Sequence, residues 1–203
     1  MNPFLTELLK VKAHLGKSQW NREISEFLVG FRGGISVFDL EKTSVALSKV
    51  LHFLKKTPRS HILVATRLPG FTHTPRFSCV KDKWVGGMLT NWKQISQSIL
   101  IYSQFQEKYG EFLNKHNIRF PVYQKYLKRF SGMNPQLPGL LIVTHPKEYE
   151  IAVLEAHALK IPVIAFIDTD TDPALLKYVD YIIPGRSPEF ILFCLNMFAT
   201  ALE

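Results

Sequence analysis

The chain has 203 residues, 46% of them apolar and 21% charged, with a net charge of +8 and a pI near 9.5. That balance gives one sizeable core, alone or with a small appendage, and excludes disordered and fibrous classes. The cationic excess favours polyanionic partners, nucleic acid first and an anionic membrane second.

No apolar run reaches the roughly 18 residues of a membrane span. Residues 1–15 show neither an arginine-rich amphipathic pattern nor a signal-type apolar core. Cys79 and Cys194 stand far apart in apolar contexts. They read as buried thiols of a reducing compartment, with a single disulfide as the alternative. No CxxC is present, so a cysteine-built zinc site is not expected.

Leu5, Leu8, Leu9 and Val11 fall near helical spacing and predict a helix over 3–13. Residues 20–34, broken by Gly30, Gly33 and Gly34, read as irregular. Ile35–Phe38 is a predicted strand. A helix over 42–56 follows, with Val45, Leu47, Val50, Leu51 and Leu54 on one apolar face, and Thr57-Pro58 ends it. His61–Thr66 is apolar almost throughout and predicts a buried strand. Residues 67–76 contain Pro69, Gly70 and Pro75 and cannot form an ordinary crossover helix. Phe77–Val80 is a short predicted strand.

Ile95, Ile99, Tyr102, Phe105, Tyr109 and Phe112 predict one long helix over 91–116. A break at 118–121 leads to a second helix over 122–130, basic and aromatic through Tyr123, Lys125, Tyr126, Lys128 and Arg129. The pair reads as a helical hairpin inserted at 91–134 into an α/β domain formed by 1–90 and 135–203. The last third alternates plainly. Strands are expected at 140–143, 162–167 and 181–183. Helices are expected at 145–159, 172–179 and 188–202, the first with Ile151, Leu154, Ala158 and Leu159 inward. Short connections between such elements predict a parallel sheet covered by helices on both faces.

Few residues suit catalysis. Asp168-Thr169-Asp170-Thr171-Asp172 follows a strand, where open α/β sheets place ligands. Asp168 and Asp170 could serve a metal-dependent phosphotransferase of the haloacid dehalogenase type, which this start resembles. That family wants Thr or Val where Asp172 stands. An EF-hand loop would need Gly and Glu where Pro173 and Val179 stand. The simpler reading makes Asp172 a helix cap before Pro173 and Asp168 a turn anchor. The seven histidines show no HxxxH or HExxH spacing, and no GxSxG elbow or phosphate-binding glycine fingerprint occurs. No catalytic, metal or cofactor site is expected.

The positive signal is basic residues interleaved with aromatics. Lys17, Trp20 and Arg22 form one group; Lys81, Lys83, Trp84, Trp92 and Lys93 form another. Such groups contact phosphates and stack on unpaired bases. Trp84 itself reads as a core anchor. Within Lys83–Lys93, two tryptophans, Gly86-Gly87 and Thr90-Asn91 suit a rigid turn that brings backbone close to an anion.

The same stretch resembles a family signature. Trp-Leu-Gly-Gly-Met-Leu-Thr-Asn of the small-subunit ribosomal protein S-two family matches Trp84–Asn91 with Val85 differing. In order along the chain stand further pieces: His14-Leu15-Gly16, Trp20-Asn21, Leu40-Glu41-Lys42-Thr43, Thr66-Arg67, Pro146-Lys147-Glu148, Ile151-Ala152-Val153, Glu155-Ala156, Ile161-Pro162-Val163, Asp168-Thr169, Asp172-Pro173, Val179-Asp180-Tyr181 and Ile183-Pro184-Gly185. The resemblance implies a flavodoxin-like (Rossmann-like) parallel sheet with a protruding helical hairpin. It implies a structural protein without catalytic activity or cofactor, whose partners are small-subunit rRNA and neighbouring ribosomal proteins. In bacteria that neighbourhood also helps to hold protein S-one near the messenger path. A membrane or a homo-oligomer is not implied.

Lys17, Trp20, Arg22, Arg32, Lys83, Asn91 and Lys93 are the candidate RNA-facing residues. The hairpin, 91–130, is also a candidate protein-docking element. The chain departs from the family at Lys17, where a histidine is common, at Arg22, usually Pro, and at Arg186, usually Asn. The helix between the second and third strands is missing. Shortening, basicity and aromatic enrichment point to an organellar lineage, and mitochondrial is the expectation, ahead of a bacterial cytoplasm or a plastid.

Overall fold

A computed structural model describes residues 3–19, 21–57, 61–71, 76–81, 83–116 and 133–202. Helix α1 (Pro3–Lys10) ends earlier than the apolar spacing predicts, because Lys12 turns into the left-handed region at φ 57°. A 3-10 turn (Arg22–Phe27) leads into β1 (Leu28–Arg32) and β2 (Ile35–Phe38). These two strands form an antiparallel ribbon of their own. Strand β2 therefore does not enter the parallel sheet, and β1 lies where the sequence reads as irregular. Its register shifts between Leu28 and Gly30, which breaks the alternation by which a strand is recognised.

Helix α2 (Leu40–Lys56) starts at Asp39, whose carboxylate accepts from the N–H groups of Glu41 and Lys42. It buries Thr43, Leu47, Val50 and Leu54, whereas Val45 faces outward, contrary to the expected face. The main sheet comprises β3 (Ile62–Ala65), β4 (Phe77–Val80), β5 (Leu140–Val143), β6 (Val163–Ile167) and β7 (Tyr181–Pro184). All its pairings are parallel and its order is β4-β3-β5-β6-β7. This is the flavodoxin-like order, with the chain reversing direction between β3 and β5.

Alternate strand residues feed two cores. Ile62, Val64, Ile142 and Ile164 pack with α1, α2 and the closing helix α6 (Pro188–Leu202). Leu63, Ala65, Leu141 and Val163 pack on the opposite face with Trp84, Met88 and helix α4 (Glu150–Ala158). Cys79 and Cys194 are free thiols in the first core.

Residues 66–76 join β3 to β4 in parallel without a crossover helix in their described part. Leu68 and Phe71 are buried there in the first core, and Phe71 meets Phe77 edge to face. Among the described residues of this connection, Leu68 and Phe71 cover part of that face of the sheet.

Helix α3 (Trp92–Lys115) agrees with the long helix expected. Ile99 is buried, while Tyr109 and Phe112 are exposed. The second arm expected at 122–130 lies outside the described residues. Helix α4 is shorter than expected and turned over. It buries Ala152, Val153 and Ala156, and exposes Ile151, Leu154 and Leu159. Small side chains let the helix approach the sheet closely, so the bulky ones are left outside.

Candidate nucleic-acid interface

The loops that follow the five parallel strands gather at the carboxyl end of the sheet, where flavodoxin-like domains bind ligands. Two contacts bridge the usual crevice, between β3 and β5. The Thr144 N–H donates to the Ala65 carbonyl at 3.1 Å. Arg67 pairs with Glu148 across the gap at 3.1 Å.

The segment after β4 is shaped around one carboxylate. Trp84, Met88 and Leu89 are buried in the second core, so Trp84 is the core anchor expected. Gly87 takes φ 86°, a left-handed conformation that favours glycine. Together they turn the backbone N–H groups toward Glu155, which α4 presents from its buried face. Gly87 N–H donates to Glu155 Oε1 at 2.7 Å, and Leu89 and Thr90 N–H groups donate to Oε2 at 2.7 and 3.1 Å. The Trp84 indole adds a bond of 3.3 Å to Oε1. Among the described residues no ion pair involves Glu155. Its charge is balanced by oriented N–H dipoles. The turn does bring backbone close to an anion, and the anion is the protein's own.

The loop therefore reaches outward by side chains at its ends. Lys83 and Lys93 are exposed and flank it. Asn91 is exposed too, and its backbone joins loop to helix: its N–H donates to Gly87 at 2.8 Å, and its carbonyl accepts from Ile95 at 3.2 Å.

A second constellation lies over the ends of β5, β6 and β7. Lys17 Nζ sits 3.1 Å from Asp168 and 3.0 Å from Asp170. Arg186 Nε lies 3.3 Å from Asp168, and Lys147 Nζ 3.9 Å from Asp170. Lys17 and Arg186, two departures from the family pattern, thus converge on one carboxylate. Burial alone would lower the Lys17 pKa, but the hydrogen bonds and charges of Asp170 and Asp168 prevail and raise it. His145, which lines this cleft, is lowered chiefly by burial, against the opposing pull of Glu148 and Asp168.

Thr169 laces the N-terminal segment to this end of the sheet. Its hydroxyl donates to Gln19 O at 2.7 Å and accepts from Lys17 N–H at 3.1 Å, and its carbonyl accepts from Asn21 N–H at 2.8 Å. Asp172 caps α5 (Pro173–Leu176) through Ala174 N–H, as expected. The cleft encloses about 90 Å³, well below the several hundred Å³ of a typical small-molecule site. Asp168 and Asp170 are engaged by three cations, and no group of three metal-ligating side chains forms among the described residues. The arrangement braces the sheet end and gives the phosphotransferase alternative no support.

Arg22 is exposed at the start of the 3-10 turn, behind its Asn21 cap. Arg32 is exposed at the end of β1 on the ribbon. Trp20 lies outside the described residues. The fold brings Lys83, Asn91 and Lys93 to one loop and carries Lys17 and Arg22 beside β6, while Arg32 stands apart on the ribbon. Sequence reasoning missed Glu155 as the residue that shapes the loop. The available signal was a lone carboxylate among Ala152, Val153 and Ala156.

A five-stranded parallel sheet of flavodoxin-like order with exposed basic side chains around its loops defines the class, an α/β domain of that fold. The profile of the family described as "Ribosomal protein S2" matches residues 72–203. Among relatives, "Small ribosomal subunit protein uS2" of Thermus thermophilus is 33% identical, covering 89% of this chain and 77% of its own length. The protein of the same name from Geotalea uraniireducens is 34% identical, covering 91% and 78%. "Small ribosomal subunit protein uS2m" of Marchantia polymorpha is 28% identical, covering 94% and 87%. The chain belongs to the ribosomal protein S2 family.

Proposed function

We propose that this chain is a structural constituent of the small ribosomal subunit, that it holds rRNA and neighbouring subunit proteins, and that it catalyses nothing. Family membership supports this reading. The observation that carries it at residue level is the Glu155-filled loop, which offers Lys83, Asn91 and Lys93 outward from a fixed backbone. With Arg22 and Arg32 these residues supply the phosphate contacts that dominate RNA affinity. Lys17 belongs to the same set, its ammonium shared with Asp168 and Asp170. Trp20 completes it by stacking on a base.

The α/β part, 1–90 and 135–203, is the rRNA-binding domain, and 91–134 is a helical hairpin inserted into it. The compartment is the mitochondrion: the basic, aromatic-rich chain and its missing crossover helix support an organellar lineage. The chain acts as a single copy per subunit, without a membrane, metal or cofactor.

Sedimentation of lysate and of an organelle fraction tests this, with the chain followed by mass spectrometry at moderate and high salt. Co-migration with small-subunit rRNA in the organelle fraction is expected. Migration of a free 23.3 kDa chain at moderate salt would sink the proposal. Co-migration in a cytoplasmic fraction would overturn only the compartment.

A further inference from the structure

Helix α4 carries apolar side chains on both faces, with Glu155 among them on the inner one. Its inner face, Ala152, Val153 and Ala156, packs on the sheet. Its outer face carries Ile151, 51% exposed, and Leu154, 40% exposed, at i and i+3, with Ala158 one further turn on. Tyr178, 36% exposed, extends the stripe sideways through an edge-on contact with His157 at 4.9 Å. Exposed apolar side chains grouped on one face of a domain mark an interface.

We propose that this face is a docking surface for an amphipathic helix of a neighbouring small-subunit protein, which rests on the ribosomal reading above. Charge selects the occupant. From Glu150 to Leu159 the outward residues include a carboxylate, Glu150, and no Lys or Arg. RNA binding needs cations opposite phosphates, so rRNA does not fit this stripe. Aromatic and aliphatic side chains with few charges at the centre fit the core of a protein interface.

The ends of the stripe differ in sign. Glu150 stands at its start, and the exposed Lys160, with Lys177 beside Tyr178, stands at its finish. A partner helix running antiparallel to α4 meets both ends. Its acidic N-terminal turn lies over Lys160 and its basic C-terminal turn over Glu150, each also the sign that its own dipole favours. Its apolar residues fall at i, i+3 and i+7 against Ile151, Leu154 and Ala158, over about two turns.

Photo-cross-linking in intact small subunits tests this, with p-benzoylphenylalanine at position 154 in the full chain. The expected product joins position 154 to a helical peptide of another small-subunit protein, with apolar spacing of three and four. Cross-links to rRNA, to a second copy of this chain, or to nothing overturn the inference and leave the ribosomal reading standing. Absence of the chain from the subunit overturns both. A double variant, Ile151→Glu with Leu154→Glu, provides the second readout. Both side chains face outward, so its circular dichroism and urea midpoint should stay unchanged and it should still enter subunits. The cross-linked partner should fall by about tenfold or more in those subunits. Unchanged partner occupancy would contradict the proposal.

Discussion

Two carboxylate-centred regions fix the loops around the sheet and are neutralised in opposite ways. Glu155 is buried and faces backbone N–H groups and an indole. Asp168 and Asp170 are partly exposed and face Lys17, Arg186 and Lys147. The first arrangement fixes the path of a loop, because N–H dipoles satisfy a charge only in one backbone geometry. The second joins elements remote in sequence through flexible side chains whose pairs are screened by water. Rigidity should therefore depend on the loop, and sensitivity to pH and salt should reside in the cleft.

The largest effect should come from Glu155→Ala. It leaves the N–H groups of Gly87, Leu89 and Thr90 without their acceptor, at a cost of about 4 kcal/mol. Urea unfolding followed by circular dichroism measures it. A loss under about 1 kcal/mol would mean that the loop does not need its internal anion.

Glycines sharpen the contrast. A Cβ on Gly185, at φ 141° beside the cleft, would lie 2.4 Å from the Phe190 ring. Gly185→Ala should cost about 3 kcal/mol, through overpacking added to backbone strain at its positive φ. Gly87→Ala meets nothing nearer than 3.7 Å and strains only the backbone at φ 86°, which should cost about 1 kcal/mol. Equal losses, measured by the same unfolding midpoints, would mean that the contact with Phe190 adds nothing to the backbone strain.

Lys17→Met should cost about 1 kcal/mol, since the ammonium is 38% exposed and screened. The Lys17 pKa is raised in the folded state. Its contribution is therefore complete below the ordinary lysine value of about 10.4 and is lost as pH rises through the raised value. The wild type should lose stability there faster than the variant.

His145 acts with the opposite sign. Its pKa is lowered in the fold, so the unfolded chain binds the proton first. Stability is present above about pH 6.5 and declines as pH falls. His145→Gln should flatten that decline, and an unchanged acid limb would assign it elsewhere.

The smallest effect on stability is expected from Lys83→Ala with Lys93→Ala, within about 0.5 kcal/mol. The same pair should weaken rRNA binding and reduce its salt slope by about 1 per lysine.

The parallel strands were legible because buried strands are apolar on both faces: Ile62–Ala65 and Leu140–Val143 need no tertiary information. The cap at Asp172 was legible because Asp-Pro at a helix start has a local cause. Helix α4 was read inside out, because periodicity favours the largest apolar side chains and close packing here favours alanine. The role of Glu155 was hidden for a related reason. A carboxylate on a helix reads as solvent-facing until its donors, some 65 residues away in the chain, are placed beside it.

The most direct test is amide and indole hydrogen exchange in the RNA-free protein. If Glu155 is the anion that shapes the loop, the N–H groups of Gly87, Leu89 and Thr90 and the Trp84 indole exchange slowly without RNA, and Glu155→Gln releases them together. Rapid exchange in the free protein, with protection arising only when rRNA is bound, would show that the anion comes from outside and would contradict the account.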